Sequence, residues 1–248
     1  HLAALIGIPY SYVSPLAYLK TNVEGTYNVL EAAKNLNVKN IIITSTSEVY
    51  GSAKYLPIDE EHPLNAQSPY AASKVAADQL SLSYYRSFKL PIKIIRPFNT
   101  FGPRQSNRAV IPRIIIQCLN KKNTRLNLGN LKPTRDFNYV EDTCEAYFQV
   151  LNSKKIIGEI INVGSNTNIS IENIAKKIMV MTNRKLKFFS NKKILRPKLS
   201  EVTDLQCDNQ KIKKLSNWNS KVNLDNGLKK TIQWIKKNYS KFSDKYEI

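Results

Sequence analysis

A tyrosine and a lysine four residues apart, in the segment SPYAASK, are well placed in this sequence for acid-base chemistry. On a helix, Tyr70 and Lys74 lie on one face, close enough to interact. A free phenol has a pKa near ~10, and an ammonium group at about 4 Å stabilises the phenolate by about 4 kcal/mol at an effective dielectric of about 20. We therefore expect Lys74 to lower the pKa of Tyr70 by roughly three units, which would let Tyr70 accept a proton from a hydroxyl group near neutral pH.

Three further polar residues, Thr46, Ser47 and Glu48, stand in the segment TSTSEVYG directly after the apolar run Ile41–Ile43. Ligands of an open α/β sheet bind where the strands end, so these side chains are expected to line that crevice. The alternative is an ordinary polar turn in which Thr46 or Ser47 bonds to the backbone. A Tyr/Lys pair alone is also compatible with a core tyrosine beside a solvated lysine, and its position after this segment favours a site.

The elements that must carry these residues alternate along the first half of the chain. Apolar spacing predicts a helix over residues 23–36, and Ser68 with Pro69 predicts the start of a helix over residues 70–88. Short apolar runs at Ile41–Ile43 and Ile92–Ile95 predict buried strands. This alternation predicts a Rossmann-like, doubly wound parallel sheet, assigned here to residues 1–102.

From about residue 103 the alternation is lost, and residues 103–248 are expected to form mainly a smaller α/β domain interleaved with the first. Strands are predicted at residues 125–128 and 159–163, and Asp142 is expected to cap a helix that ends near residue 151. The other helices are predicted at residues 111–119, after Ser170 to residue 181, and at residues 224–238.

Composition excludes several classes of protein. Of the 248 residues, 42% are hydrophobic, enough for a sizeable core, yet no apolar stretch approaches a membrane span, so a cytoplasmic protein without membrane attachment is expected. Two histidines and three widely spaced cysteines make a metal site unlikely. The net charge is +19, and 21 of the 38 Lys and Arg residues follow residue 150, but no recognition motif accompanies them. Nucleic-acid binding is therefore disfavoured.

Several segments together resemble the extended short-chain dehydrogenase/reductases that modify nucleotide sugars, the NAD-dependent epimerase/dehydratase family. They are HLAAL, TNVEGT, TSTSEVYG, SPYAASK, RPFNTFGPRQ, PTRDFNYVED and RPKLSEV, in the family's order and at similar spacing. The resemblance covers almost the whole chain. It implies an enzyme that uses NAD, with NADP left open, acts on a nucleotide-diphosphate sugar and forms a homodimer through the helices at residues 23–36 and 70–88.

The resemblance also implies roles for individual residues. Thr46 would bond the C4 oxygen of the sugar, Tyr70 would take the C4 hydroxyl proton, and Lys74 would also hold the nicotinamide ribose. Ala3 and Ala4 would touch the nicotinamide side of the cofactor, and Asn22 matches a structural asparagine beside it. The residues implied to hold the nucleotide diphosphate or its ribose are Asn99, Arg104, Arg135 and Arg196. The sequence contains no GxGxxG loop, so it resembles an N-terminally incomplete copy that is expected to bind cofactor poorly and to be inactive as given.

Glu48 discriminates between the possible reactions. Once C4 is a ketone, a carboxylate can remove the C5 proton and water can leave from C6, whereas an epimerase needs no such base. The resemblance is strongest to 4,6-dehydratases acting on nucleotide-linked N-acetylglucosamine in legionaminic-acid-type pathways. Nucleotide-linked uronic acid decarboxylases also carry Thr-Ser-Glu, so decarboxylation and 4-epimerisation stay open. In dTDP-glucose dehydratases an Asp stands where Ser47 stands, which leaves open the acid that protonates the leaving hydroxyl.

Overall fold

The computed structural model of the chain describes residues 1–191 and 194–242. Its helices are Ile8–Val13 (α1), Pro15–Tyr18 (α2), Gly25–Asn35 (α3), Pro69–Phe88 (α4), Val110–Leu119 (α5), Val140–Asn152 (α6), Ile171–Met181 (α7), Gln210–Leu215 (α8) and Leu224–Lys237 (α9). Its strands are Ile41–Thr44 (β1), Ile92–Pro97 (β2), Asn99–Phe101 (β3), Arg125–Leu128 (β4), Thr134–Arg135 (β5), Phe137–Tyr139 (β6), Ile160–Val163 (β7), Ile169–Ser170 (β8) and Lys187–Ser190 (β9). Within these ranges, no helix combines the length and apolar character needed to cross a membrane.

A parallel sheet with the strand order β1-β2-β7 forms the centre of the first half. Ile43 pairs with Ile94, which in turn pairs with Ile160. On the other side of β1, the backbone N–H of Thr44 donates to the carbonyl of His1 at 3.2 Å, so the first residues run along this strand. The strands are short and rich in isoleucine, as expected for strands that are covered on both faces.

Both faces of this sheet are packed. On one face, Ile43 and Ile94 pack with Leu30 of α3 and Leu82 of α4. On the opposite face lies a second apolar cluster, whose members include Ile95, Val150, Ile161, Ile212 and Trp218. Helices on both faces of a parallel sheet confirm the predicted Rossmann-like, doubly wound fold.

A second core lies in the later part of the chain. Ile114 of α5, Ile174 of α7 and Ile232 of α9 belong to one buried cluster together with Leu126 of β4. Strand β7, although it follows residue 103, joins the first sheet. The division into residues 1–102 and 103–248 stays a prediction.

Two predicted helix starts agree with the structure. The Ser68 hydroxyl accepts a hydrogen bond from the N–H of Ala71 at 3.1 Å, with Pro69 as the first residue of α4. The Ser170 hydroxyl accepts from the N–H of Asn173 at 3.2 Å at the start of α7. These side chains satisfy N–H groups that have no partner within the helix.

The prediction that Asp142 caps α6 is wrong. The capping position is Tyr139, whose side chain makes no capping bond, and Asp142 lies inside the first turn. One carboxylate oxygen of Asp142 accepts from the N–H groups of Lys221 and Val222 at 3.1 and 2.9 Å. Asp142 therefore fixes the loop before α9, because the N–H groups of that loop point at its carboxylate.

Candidate active site

The end of β1 leads directly into the polar residues of the candidate site. After Thr44 and Ser45, Thr46 precedes a 3-10 turn over Ser47–Tyr50, and its hydroxyl accepts from the N–H of Glu48 at 3.2 Å. The expected alternative, a hydroxyl bonded to the backbone, is thus also realised for Thr46. Thr46, Ser47 and Glu48 are each at most 9% exposed, so this turn lies inside the molecule.

Helix α4 brings Tyr70 and Lys74 against the same strand end. Both side chains are buried, and the Lys74 ammonium donates to the Thr44 carbonyl at 2.5 Å. A side-chain hydrogen bond joins Tyr70 and Thr46. The Tyr70 ring packs edge-on against Tyr18 of α2, with 6.2 Å between the ring centroids. The structure therefore brings Thr46, Glu48, Tyr70 and Lys74 together.

The electrostatics of the Tyr70 phenol differ from the expectation. The pKa of Tyr70 is raised to about 12, chiefly by burial and also by the Glu48 charge, while the hydrogen bond with Thr46 acts in the opposite direction. Burial also lowers the pKa of Lys74, while the charge of Asp78 raises it. The expectation that Lys74 brings the pKa of Tyr70 near neutrality is wrong for this structure, because the ammonium is bonded to Thr44 and both groups are desolvated.

Glu48 lies beside two arginines. Nη1 of Arg196 is 3.6 Å from Oε2 of Glu48, and the Glu48 charge also acts on Arg135. Nη1 of Arg196 is buried and has no hydrogen-bond partner. The sequence places Arg196 among the substrate-binding residues, and the structure places its guanidinium within reach of the residue expected to act as the C5 base.

Arg135 is more fully occupied by the protein than expected. Its guanidinium donates to the carbonyls of Thr134 at 2.8 Å and Val202 at 2.9 Å, and it lies 3.8 Å from a carboxylate oxygen of Glu201. These bonds hold the segment after Arg196 against β5. These bonds support a structural role for Arg135, in which it holds the segment after Arg196 in place, as well as they support direct contact with a substrate.

Among the residues that the structure describes, no hydrogen bond or ion pair joins Asn99 or Arg104 to this group. The Asn99 side-chain oxygen is buried without a hydrogen-bond partner. Arg104 is exposed, has a positive φ of 68° and lines a cavity of about 210 Å³ with Gly102 and Val140. Their roles stay predictions.

The segment expected to meet the nicotinamide runs beside β1. Ala3 is exposed and Ala4 is partly exposed. Asn22 holds this segment in place, because its amide donates to the Leu5 carbonyl and the Ser73 hydroxyl, both at 2.9 Å, and accepts from the Leu5 N–H at 2.8 Å. Asn22 is 1% exposed, so its place is that of a structural asparagine.

These residues fit the nicotinamide end of NAD. The small side chains of Ala3 and Ala4 leave a surface open next to the strand end, and Tyr70 and Lys74 border the same strand end from α4. Sequence reasoning missed a further buried carboxylate, that of Asp78, one helical turn after Lys74. Asp78 stands four residues after Lys74, and this spacing could have predicted that both lie on one face of the helix.

A doubly wound sheet with a buried Thr/Tyr/Lys group at the end of a strand defines an extended short-chain dehydrogenase/reductase. Residues 1–231 match the sequence model of the family described as GDP-mannose 4,6 dehydratase. The chain belongs to this family, within the NAD-dependent epimerases and dehydratases of nucleotide sugars.

Known relatives carry out different reactions. Human dTDP-D-glucose 4,6-dehydratase is 32% identical over 96% of this chain and 68% of its own length. A UDP-N-acetyl-alpha-D-glucosaminuronate decarboxylase of Bacillus cytotoxicus is 34% identical over 95% of this chain and 75% of its own length. The crystal structure of UDP-glucuronic acid 4-epimerase from Bacillus cereus, with UDP-glucuronic acid and NAD, has a TM-score of 0.89 and 31% identity, covering 96% of this chain and 75% of that one. Members of the family thus share the fold and differ in the reaction.

Proposed function

We propose that this chain provides the catalytic part of a nucleotide-sugar 4,6-dehydratase whose substrate is a nucleotide-linked N-acetylglucosamine. The observation that carries the proposal is the position of Glu48, whose backbone N–H bonds the hydroxyl of Thr46, the same side chain that bonds Tyr70. An oxidising pair and a separate carboxylate are thus linked through one threonine. A 4-epimerase uses the oxidising pair and has no need of the carboxylate.

The first step falls to Thr46, Tyr70 and Lys74. When bound, NAD would supply the hydride acceptor for C4 and the hydride donor for C6. The Thr46 hydroxyl orients the C4 oxygen, and Tyr70 accepts the C4 hydroxyl proton. Lys74, one helical turn after Tyr70 on α4, would hold the ribose of the cofactor.

The second step falls to Glu48. With a ketone at C4, the C5 proton is acidic enough for the Glu48 carboxylate to remove it. The C6 hydroxyl then takes up a proton, which balances the one accepted by Tyr70, and leaves as water; Glu48 returns its proton to C5 when the hydride reaches C6. Ser47, next to Glu48 and 3% exposed, is our candidate for donating a hydrogen bond to the leaving hydroxyl. Arg196 forms an ion pair with the Glu48 carboxylate, and the charge of Arg135 also interacts with it. A guanidinium group can also bind the phosphate oxygens of the nucleotide through two parallel hydrogen bonds.

The second candidate function is decarboxylation of a nucleotide-linked uronic acid. One observation favours it: Nη1 of Arg196 is buried, lies 3.6 Å from the Glu48 carboxylate and makes no hydrogen bond within the described part of the chain, so a carboxylate at C5 of a sugar could accept one from it. The decarboxylase of Bacillus cytotoxicus also matches this chain across 95% of its length.

Product mass separates these functions. The full-length protein is incubated with NAD and either a nucleotide-linked N-acetylglucosamine or a nucleotide-linked uronic acid. We expect the first to lose one water. Loss of carbon dioxide from the second alone would assign the decarboxylase, and conversion of either without a change of mass would assign an epimerase.

A further inference from the structure

Asp78 is a fully buried carboxylate on the helix that carries Tyr70 and Lys74. It lies on α4 one turn after Lys74 and two turns after Tyr70, and its exposure is 0%. Its Oδ2 accepts from the Ser45 hydroxyl at 2.8 Å and from Nε of Arg96 at 3.0 Å, whereas its Oδ1 has no hydrogen-bond partner. A buried charge is costly, so one with an unsatisfied oxygen calls for an explanation.

The bonds of Asp78 continue through the core. Nη1 of Arg96 donates to the Tyr50 hydroxyl at 2.9 Å, and that hydroxyl donates to Oδ1 of Asn162 at 2.8 Å. The chain of bonds therefore joins α4, β2 and β7 with the last residue of the 3-10 turn that carries Ser47 and Glu48.

Two bonds fasten the end of β1 to α4. Lys74 donates to the Thr44 carbonyl, and the hydroxyl of the next residue, Ser45, donates to Asp78. The residue after that is Thr46. The bonds from Lys74 to Thr44 and from Ser45 to Asp78 therefore fix the strand end that positions the Thr46 hydroxyl relative to Tyr70.

Among the charged groups around Lys74, Asp78 is the one that stabilises the Lys74 ammonium. Burial lowers the pKa of Lys74, and Asp78 is the charge that raises it. The other titratable groups around Lys74 are Arg96, Tyr70, Glu48 and the amino group of His1. Arg96 pairs with Asp78, and Tyr70 precedes Lys74 on α4. Glu48 faces Tyr70 from the 3-10 turn, and the amino group of His1 lies across β1. Burial raises the pKa of Asp78 itself, whereas Arg96, the Ser45 hydrogen bond and Lys74 act in the opposite direction and favour the carboxylate. Asp78 is the buried carboxyl group on the same face of α4 as Lys74.

We propose that Asp78 is a positioning residue for oxidation at C4: through its bonds with Ser45 and Arg96 it holds Thr46 and Glu48 against α4, and it places a carboxylate one helical turn from Lys74. This inference rests on the proposed function only for the oxidation at C4, a step shared by dehydration, decarboxylation and epimerisation. The competing explanation is a buried ion pair between Asp78 and Arg96 that serves stability alone.

The first test follows the titration of Lys74 by carbon-13 NMR of the lysine side chains in the full-length protein, with the Lys74 resonance assigned from Lys74→Arg. Asp78→Asn keeps the shape and one acceptor but removes the charge. We expect the midpoint of Lys74 to fall by about one pH unit or more, the usual effect of losing a nearby opposite charge. Ser45→Ala removes a bond to the same carboxylate without removing its charge, and we expect its midpoint to equal that of the wild type.

Asp78→Asn leaves the Arg96 guanidinium buried and unpaired, so it can fail to fold. Asp78→Asn combined with Arg96→Gln removes both charges, and the midpoint of Lys74 should fall in this variant as well. An unchanged midpoint in the double variant would overturn the proposal. So would an equal fall in Ser45→Ala, because packing rather than charge would then be responsible.

A second readout concerns catalysis. In the pH profile of kcat/KM for the nucleotide sugar, the alkaline limb of Asp78→Asn should move to lower pH by the same amount as the midpoint. A merely structural role lowers the whole profile without moving it. If the wild-type protein converts no nucleotide sugar, the proposed function fails, and the NMR titration still decides the role of Asp78.

Discussion

Tyr70 is the residue on which the oxidation step depends, and it is not a ready base on its own. Burial raises its pKa to about 12, and only the hydrogen bond with Thr46 acts in the opposite direction. The phenol is therefore protonated at neutral pH unless charge nearby favours the phenolate. Proton transfer at C4 thus depends on the hydrogen bond with Thr46 as well as on Tyr70 itself.

Replacement of Tyr70 tests this dependence. Tyr70→Phe should lower kcat about 10²- to 10⁴-fold, because a positioned acid-base group contributes that much, while the fold is kept. The control is Tyr84→Phe on the same helix, which removes a hydrogen bond to Glu31 away from the site and should keep full activity. Steady-state kinetics of both variants measure the effect, and a Tyr70→Phe variant with wild-type kcat contradicts the assignment.

Glu48 should act only after C4 has been oxidised. Glu48→Gln is expected to lower water loss about 10²- to 10⁴-fold while the nicotinamide absorbance still rises when substrate is added, because the oxidising residues are intact. Glu159→Gln, which changes only an ion pair with Lys211, is the matched control. If Glu48→Gln loses water at the wild-type rate, Glu48 is not the C5 base.

At the scale of elements, the site depends on one tight turn. Gly51 ends the 3-10 turn of Ser47 and Glu48 with a φ of +64°, a conformation that disfavours side chains. A Cβ at this position would lie 2.2 Å from the Asn65 carbonyl oxygen. The glycine is therefore required by the path of the chain from the site into the following loop.

Substitution of Gly51 should destabilise the whole molecule. We expect Gly51→Ala to lower the free energy of unfolding by at least about 2 kcal/mol, because it combines a strained φ with a backbone clash. Gly25→Ala is the control: Gly25 is helical, and the nearest neighbour of its Cβ would be 3.9 Å away. That variant should be as stable as the wild type or up to about 1 kcal/mol more stable. Denaturant unfolding of both variants gives the comparison, and equal stability contradicts this account of the turn.

Helices and strands could be predicted from the sequence where neighbouring residues mark where they begin and end. Ser68 and Pro69 mark the start of α4, and the run of isoleucines marks β1, so the meeting of Tyr70 with Thr46 followed from the fold class. The pairs Asp78–Arg96 and Glu48–Arg196 join positions that are far apart in sequence, and no periodicity or spacing connects them. The direction of the Tyr70 pKa shift also escaped prediction, because it depends on how deeply the folded chain buries the phenol.

At the scale of the whole molecule, we propose a homodimer through α3 and α4. Four alanines of α4, Ala71, Ala72, Ala76 and Ala77, have side chains small enough to let another helix approach. Ala71 and Ala77 are buried within the chain, whereas Ala72 is exposed and Ala76 is partly exposed, so only these two can face a second copy. Tyr27 of α3 and Phe88 of α4 are also about half exposed.

A large charged side chain on this face should prevent association. Ala72→Arg is expected to have half the molar mass of the wild-type protein by sedimentation or light scattering, because the guanidinium would meet its own symmetry copy. The control is Val180→Arg on α7, which is 80% exposed and should leave the mass unchanged. A dimer that survives Ala72→Arg means that the two copies meet elsewhere.

The central claim, that oxidation at C4 leads to loss of water from C5 and C6, is tested most directly by isotopic labelling. A nucleotide-linked N-acetylglucosamine that carries deuterium at C4 is converted by the full-length protein with NAD, and the product is analysed by mass spectrometry and NMR. We predict a 4-keto-6-deoxy product that has lost one water and carries the deuterium at C6. A product of unchanged mass with the deuterium still at C4 would contradict the claim.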